Sequence, residues 1–240
     1  MSLVRPWAPG DRPPGPSALE GPGPLLWSVR PGAPVAADAD PFGPSGPSVL
    51  DAEERGRVAA LLRPEDRAMY AASHTALRVL LGGVLELPPA KVELMRLPCP
   101  GCGAPHGRPA VAGPPGERVH FSLSHTAGLA LVALATRPVG VDVERLPSPR
   151  TADEAATALH PDERAELAAL PAADRPAAFV RCWTRKEAYL KGTGEGLSGE
   201  ALSGAYLGTG PAPADPPAGW SLHDVEVPAG YAAARALRTD

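Results

Sequence analysis

Proline is the residue that most limits what this chain can build. Of its 32 prolines, 12 fall within residues 1–48. A stretch such as Pro13-Pro14-Gly15-Pro16 sustains neither a helix nor a central strand, because proline lacks an amide donor and fixes its own φ. Residues 1–48 therefore read as an extension, in part an irregular tail, with Leu25-Leu26-Trp27-Ser28-Val29 as one edge strand. Further on, proline acts as punctuation between regular elements.

Asp51 is placed to cap a helix, with Glu53 and Glu54 in a first turn that favours negative charge. Pro64 interrupts this helix. A second one follows, with Met69, Ala72, Ala76, Leu77, Leu80 and Leu81 at helical spacing. Pro98 to Pro115 reads as a loop. Val119 to Leu123 alternates like a strand, Leu129 to Ala135 has the length of a buried strand, and Val139 to Val143 follows the turn at Arg137-Pro138. From Ser148 the pattern is helical, broken at Pro171, with a longer helix from Pro176 to Lys191 that the glycines at 192, 194 and 196 end. Trp220 to Val227 alternates like an edge strand, and Tyr231 to Leu237 closes the sheet. The expected class is α+β, in two pseudo-symmetric halves that each carry a small antiparallel sheet with helices. The expected boundaries are 49–136 and 137–240, after the extension.

An apolar content of 44% supports a core, and a net charge of −4 gives no general reason to expect nucleic acid. No apolar run approaches the roughly 18 residues of a membrane span. Three cysteines cannot build a disulfide framework. A soluble cytoplasmic protein is expected.

Gly140-Val141-Asp142-Val143-Glu144 sets two carboxylates two residues apart on a strand, so both face one side. A solvated strand face accounts for such a pair, and so does a hard cation held between the oxygens. In Trp183-Thr184-Arg185-Lys186-Glu187-Ala188-Tyr189-Leu190-Lys191, residues 183, 187 and 191 share a helix face. That face offers either an ordinary Glu–Lys surface pair or a third carboxylate with a lysine for phosphate oxygens. Gly192-Thr193-Gly194-Glu195-Gly196 follows a helix instead of joining a strand to one, so a dinucleotide loop is excluded. The chain has no Gly-x-Ser-x-Gly elbow of a serine hydrolase.

Taken in order, Phe121-Ser122-Leu123-Ser124-His125-Thr126, Gly140 to Glu144 and Trp183 to Gly192 resemble the motif set of the 4'-phosphopantetheinyl transferase superfamily, in its Sfp-like branch. The resemblance runs from about residue 50 to 235. It implies transfer of the 4'-phosphopantetheine group of coenzyme A to a serine of an acyl or peptidyl carrier protein, with release of 3',5'-bisphosphoadenosine. Asp142, Glu144 and Glu187 would hold Mg²⁺, for which Mn²⁺ can substitute, and Glu187 and Lys191 would act in catalysis. Lys191 would also meet the phosphates. His125 would meet the 3'-phosphate of coenzyme A, Ser124 would be a further cofactor-binding residue, and Arg108, in Gly107-Arg108-Pro109, would line the nucleotide pocket. Arg55 and Arg57 are further candidates for phosphate contacts. Glu163 falls where some relatives carry a proposed general base. Pseudo-symmetry within one chain implies a monomer, and fatty-acid, polyketide and nonribosomal-peptide carriers all remain open.

The chain departs from the family in two places. An early arginine in the helix over 66–78 is replaced by Asp66, Arg67 and His74, and residues 1–48 have no counterpart. Cys99-Pro100-Gly101-Cys102 with His106 offers three ligands where structural zinc takes four; reduced thiols in a surface loop account for them too. Cys182 reads as a core residue. Two other function classes fit the carboxylates less fully: a metal-dependent phosphodiesterase or nucleotide hydrolase, and a non-catalytic binding protein that keeps the fold.

Overall fold

The structure, a computed structural model, describes residues 4–32, 49–105, 107–196 and 198–240. Strand β1 (Val4–Trp7) runs parallel to β2 (Leu25–Val29). Helix α1 (Ala52–Ala60) opens on Asp51, whose carboxylate accepts from Glu54 N–H while Glu54 accepts from Asp51 N–H, a reciprocal capping box. Pro64 then starts α2 (Pro64–Leu85) at a position where its missing donor costs nothing. A small hairpin of β3 (Leu94–Arg96) and β4 (Pro109–Val111) precedes β5 (His120–Thr126) and β6 (Leu129–Ala135). Strand β7 (Val139–Arg145) leads to the helices α3 (Pro149–Ala156), α4 (Pro161–Ala169), α5 (Arg175–Thr193) and α6 (Gly199–Gly204). The chain ends with β8 (Trp220–Asp224) and β9 (Tyr231–Arg238).

The class is α+β as expected, with mostly antiparallel sheets ordered β1-β2-β6-β5 and β7-β9-β8. Three expectations need correction. Leu25–Val29 is a strand, but it lies between β1 and β6 instead of at an edge. The edge is β1, which tolerates Pro6 because an edge residue need not donate to a neighbour. Residues 4–32 are thus built into the first sheet, with Trp7, Leu26, Trp27 and Val29 buried. The 98–115 segment is not all loop, since β4 pairs with β3 within it. Finally, β5 continues through Ser124 and His125 to Thr126, so His125 lies within a strand, opposite Ala130.

The core explains these elements. The apolar stripe of α2, including Met69, Leu77, Leu80 and Leu81, packs on Trp27, Phe121, Val132 and Leu134. On the opposite face of β6, Leu129, Leu131 and Ala133 meet Val139, Val141 and Val143. A strand buried on both faces has no polar side, hence its unbroken apolar sequence. Each large apolar side chain buried this way contributes about 1.5–3 kcal/mol. Arg78, 1% exposed, ties the N-terminal helices together: it bonds Glu54 Oε2 at 2.6 Å, the Val92 carbonyl at 2.7 Å and the Asp51 carboxylate. Among the described residues no helix is long and apolar enough to cross a membrane.

Two contacts set up the site. Strands β5 and β7 lie side by side, and serine hydroxyls stand in for ladder carbonyls: Ser122 Oγ accepts from Val141 N–H at 3.1 Å and Ser124 Oγ from Val143 N–H at 3.4 Å. Helix α5 presses on β7 so closely that a Cβ on Gly140 would lie 1.9 Å from the Ala188 carbonyl oxygen. Only glycine fits there.

Candidate functional site

The period of β7 sends Asp142 and Glu144 to one side, and α5 brings Glu187 to meet them. One carboxylate oxygen from each lies within 4.8 Å of the others. Asp142 is fully buried, Glu187 nearly so and Glu144 half-buried. Lys191, one turn beyond Glu187, donates to Asp142 Oδ1 at 2.5 Å and to Ser124 Oγ at 3.0 Å, and pairs with Glu187 Oε2 at 3.3 Å. Of the two solutions left open by spacing, a wet surface pair and a shared anionic pocket, the geometry is the second.

The electrostatics follow from burial and crowding. Burial, then the charge of Asp142, pushes the Glu187 carboxyl up to about 7. The same two causes raise Glu144, while a hydrogen bond with the Thr126 side chain pulls the other way. Burial alone would lower Lys191, but Asp142 and Glu187 outweigh it and hold the ammonium above its usual range. The cluster is short of positive charge.

One atom tests whether a cation fits. Asp142 Oδ1 accepts from Ser124 and Lys191, yet Oδ2, equally buried, has no hydrogen-bond partner among the described residues. A buried carboxylate oxygen left unpaired is costly. An all-oxygen set of three carboxylates suits a hard divalent ion. The residues fit such an ion, and Asp142, Glu144 and Glu187 are the ones that would hold it.

Around the cluster the expected residues separate. Ser124 faces β7 and touches Asp142 directly. Its neighbour His125 faces the other way, towards α2. It is exposed, and the charges of His74, Lys191 and Asp66 reach it. Desolvation there, then the charges of His74 and Lys191, push its imidazole below the usual range. Arg108, half-buried against Gly194, lines a cavity of about 510 Å³ with Pro98, Tyr189, Thr193 and Trp220. Burial, then Arg108, lowers nearby His120 to about 4. A larger concavity of about 730 Å³, between α4, the first half of α5 and residues 208–214, holds none of the cluster.

Other expectations do not meet here. Arg55 bonds the Leu50 carbonyl at 2.5 Å, and Arg57 is exposed at the end of α1. Neither bonds the cluster. Glu163 is fully buried: it pairs with Lys186 at 2.8 Å and accepts from the Leu207, Gly208 and His160 amides. All its oxygens are engaged in holding the 207–208 turn, so it latches structure. His74 bonds Glu54 and stacks on Tyr70 at 3.9 Å. Cys99 is buried within its own turn and its thiol is hydrogen-bonded with Cys102; His106 lies outside the described residues. Cys182 is a core residue, its thiol raised by burial.

Sequence reading missed Thr126, His120 and the partner of Ser124. A signal was present in β5: Ser122, Ser124 and Thr126 recur at period two, a row of hydroxyls aimed at β7.

The sequence profile described as the 4'-phosphopantetheinyl transferase superfamily matches residues 138–205, the stretch that carries all three carboxylates and Lys191. The 4'-phosphopantetheinyl transferase HetI of Nostoc sp. is 34% identical over 179 residues, 73% of each chain. A Synechocystis sp. protein provisionally named for the same transferase is 30% identical over 161 residues, 66% of this chain and 63% of that protein, so the chain spans a little under two thirds of that relative. The 4'-phosphopantetheinyl transferase Sfp of Bacillus subtilis is 27% identical over 154 residues, 62% of this chain and 67% of Sfp. With HetI matched over most of both sequences, and the carboxylates and lysine converging in space, the chain belongs to the 4'-phosphopantetheinyl transferase superfamily.

Proposed function

We propose that this chain transfers the 4'-phosphopantetheine group of coenzyme A to a serine of an acyl or peptidyl carrier protein, with Mg²⁺ as its metal and 3',5'-bisphosphoadenosine as the other product. The observation that carries this reading is the trio Asp142, Glu144 and Glu187 with Asp142 Oδ2 unpaired and Lys191 alongside. Mg²⁺ bound there supplies Lewis-acid polarisation and charge neutralisation at the pyrophosphate. Lys191, fixed between strand and helix, adds a preorganised cation for phosphate oxygens. His125, which feels the charge of Lys191, and Arg108, in the cavity with Thr193 and Tyr189, are the residues this reading assigns to the nucleotide. Glu163 is withdrawn as the acceptor of the serine proton because its oxygens are spoken for, which leaves Glu187 as the carboxylate of that set at the cluster. One chain supplies every residue of the site, so a monomer suffices.

Incubation with an apo carrier protein, coenzyme A and Mg²⁺, followed by mass spectrometry of the carrier, tests this. A mass gain of one phosphopantetheine on the serine is the expected result. Free phosphopantetheine with an unmodified carrier would mean a hydrolase instead.

A further inference from the structure

We propose that Ser124 is a positioning residue that decides which oxygen of Asp142 faces the cation. This rests on the reading above that the carboxylate trio holds a divalent ion.

The argument begins with the hydroxyl's own capacity. A serine hydroxyl has one proton to give and two lone pairs to offer. Ser124 Oγ accepts from Val143 N–H at 3.4 Å and from Lys191 at 3.0 Å. Its single proton is therefore left for Asp142 Oδ1, 2.6 Å away. All its bonding capacity is used within the protein, and the residue is 5% exposed. The cofactor-binding role that the family resemblance implies for Ser124 would need that same proton if it took the form of a hydroxyl contact with a phosphate.

The consequence falls on Asp142. Rotation about the last bond of an aspartate is soft and nearly two-fold, so the side chain alone does not distinguish its oxygens. Ser124 and Lys191 both take Oδ1, which leaves Oδ2 as the buried oxygen without a hydrogen-bond partner among the described residues. The hydroxyl thus fixes the carboxylate plane before any ion arrives. Partners that orient a metal ligand in this way typically govern about 10–100-fold in metal affinity.

Ser122 provides an internal control. It makes the equivalent bond to β7, from Val141 N–H at 3.1 Å, and is about as buried at 6%, but it is bonded to no carboxylate among the described residues. Loss of either hydroxyl removes one seam bond; only Ser124 also releases Asp142.

The test measures Mg²⁺ binding to the full chain by calorimetry, without carrier protein, in Ser122→Ala, Ser124→Ala and Ser124→Cys. The cysteine fills the same space with a weaker hydrogen-bonding sulfur and serves if the alanine variant does not fold. Ser124→Ala or Ser124→Cys should weaken Mg²⁺ binding by about tenfold or more, while Ser122→Ala leaves it unchanged. Coenzyme A binding in the presence of a chelator should be the same in all. Equal Mg²⁺ affinity in Ser124 and Ser122 variants overturns the proposal, and so does a loss of chelator-insensitive coenzyme A binding specific to Ser124, which would make it a nucleotide contact. Absence of Mg²⁺ binding by the unmodified chain would instead overturn the metal reading on which this rests.

Discussion

Lys191 lies 2.5 Å from Asp142 Oδ1 and 3.3 Å from Glu187 Oε2, so the carboxylate cluster carries a cation of its own. The Lys191 side chain is 28% exposed while its partners are nearly covered, so of these three residues it is the one that borders solvent.

Lys191→Ala should then have two opposite effects. Turnover should fall by about 10²–10³-fold, as for a lost preorganised donor, with little change in KM for coenzyme A. Mg²⁺ should bind the free protein more tightly, since a like charge a few ångströms away has been removed. Steady-state kinetics and calorimetry check the two halves. An unchanged kcat would return Lys191 to the role of a surface partner of Glu187.

The raised carboxyl of Glu187 predicts how the ion-free protein responds to pH. Its folded value of about 7 exceeds its ordinary 4.5, so between these the folded state holds the proton more tightly than the unfolded chain. Its contribution is full below about 4.5 and is lost as pH rises through 7. His120 and His125, both lowered, act oppositely, with stability lost as pH falls below 6.5. The signature is therefore the difference between the unmodified chain and Glu187→Gln. In chelator, Glu187→Gln should gain in relative melting temperature from pH 5 to pH 8, and saturating Mg²⁺ should cancel or reverse that gain. Parallel melting curves across this range would mean that Glu187 is not held in a strained, charge-crowded site.

Glu163→Gln should act on stability, not on chemistry. It breaks a buried pair with Lys186, which typically costs about 3–5 kcal/mol, and weakens the hold on the 207–208 turn. Denaturant titration should show the loss, while the folded fraction turns over at a rate near that of the unmodified chain. Normal stability with lost turnover would restore Glu163 as a base.

His125→Ala should weaken coenzyme A binding by about tenfold, the scale of one hydrogen bond to a charged group. It should matter far less for the analogue that lacks the 3'-phosphate. Because the free imidazole titrates below its usual range, binding of coenzyme A to the unmodified chain should tighten as pH falls from 8 towards 6, and this slope should vanish in the variant. Equal losses for both ligands would make His125 structural.

How far the sequence disclosed this site depends on the range of each interaction. Asp142 with Glu144, and Glu187 with Lys191, are related by the periods of one strand and one helix, so local spacing sufficed to pair them. That the two pairs meet is a tertiary fact, and only the ordered resemblance to a family anticipated it. The contact of Ser124 with Asp142 was not legible because it crosses between strands, 18 residues apart. The partners of Glu163 were hidden for a like reason: its acidic, helix-opening position is visible in sequence, but Lys186 and the 207–208 amides that bond it are not. The first sheet was underestimated because the prolines around it hid β1, the strand that makes Leu25–Val29 an interior one, and Arg78 with Glu54 gave no signal beyond an ordinary amphipathic helix.

Gly140 has no functional group, yet the missing methyl at that position sets the distance between the strand that carries Asp142 and the helix that carries Glu187. Any side chain there would act as a shim, prising α5 off β7 and widening the carboxylate triangle beyond the reach of one small ion. In a saturation library this glycine should be as intolerant of replacement as the carboxylates themselves, for a reason that is dimensional and not chemical. Substitution data alone would then list it among the active-site residues.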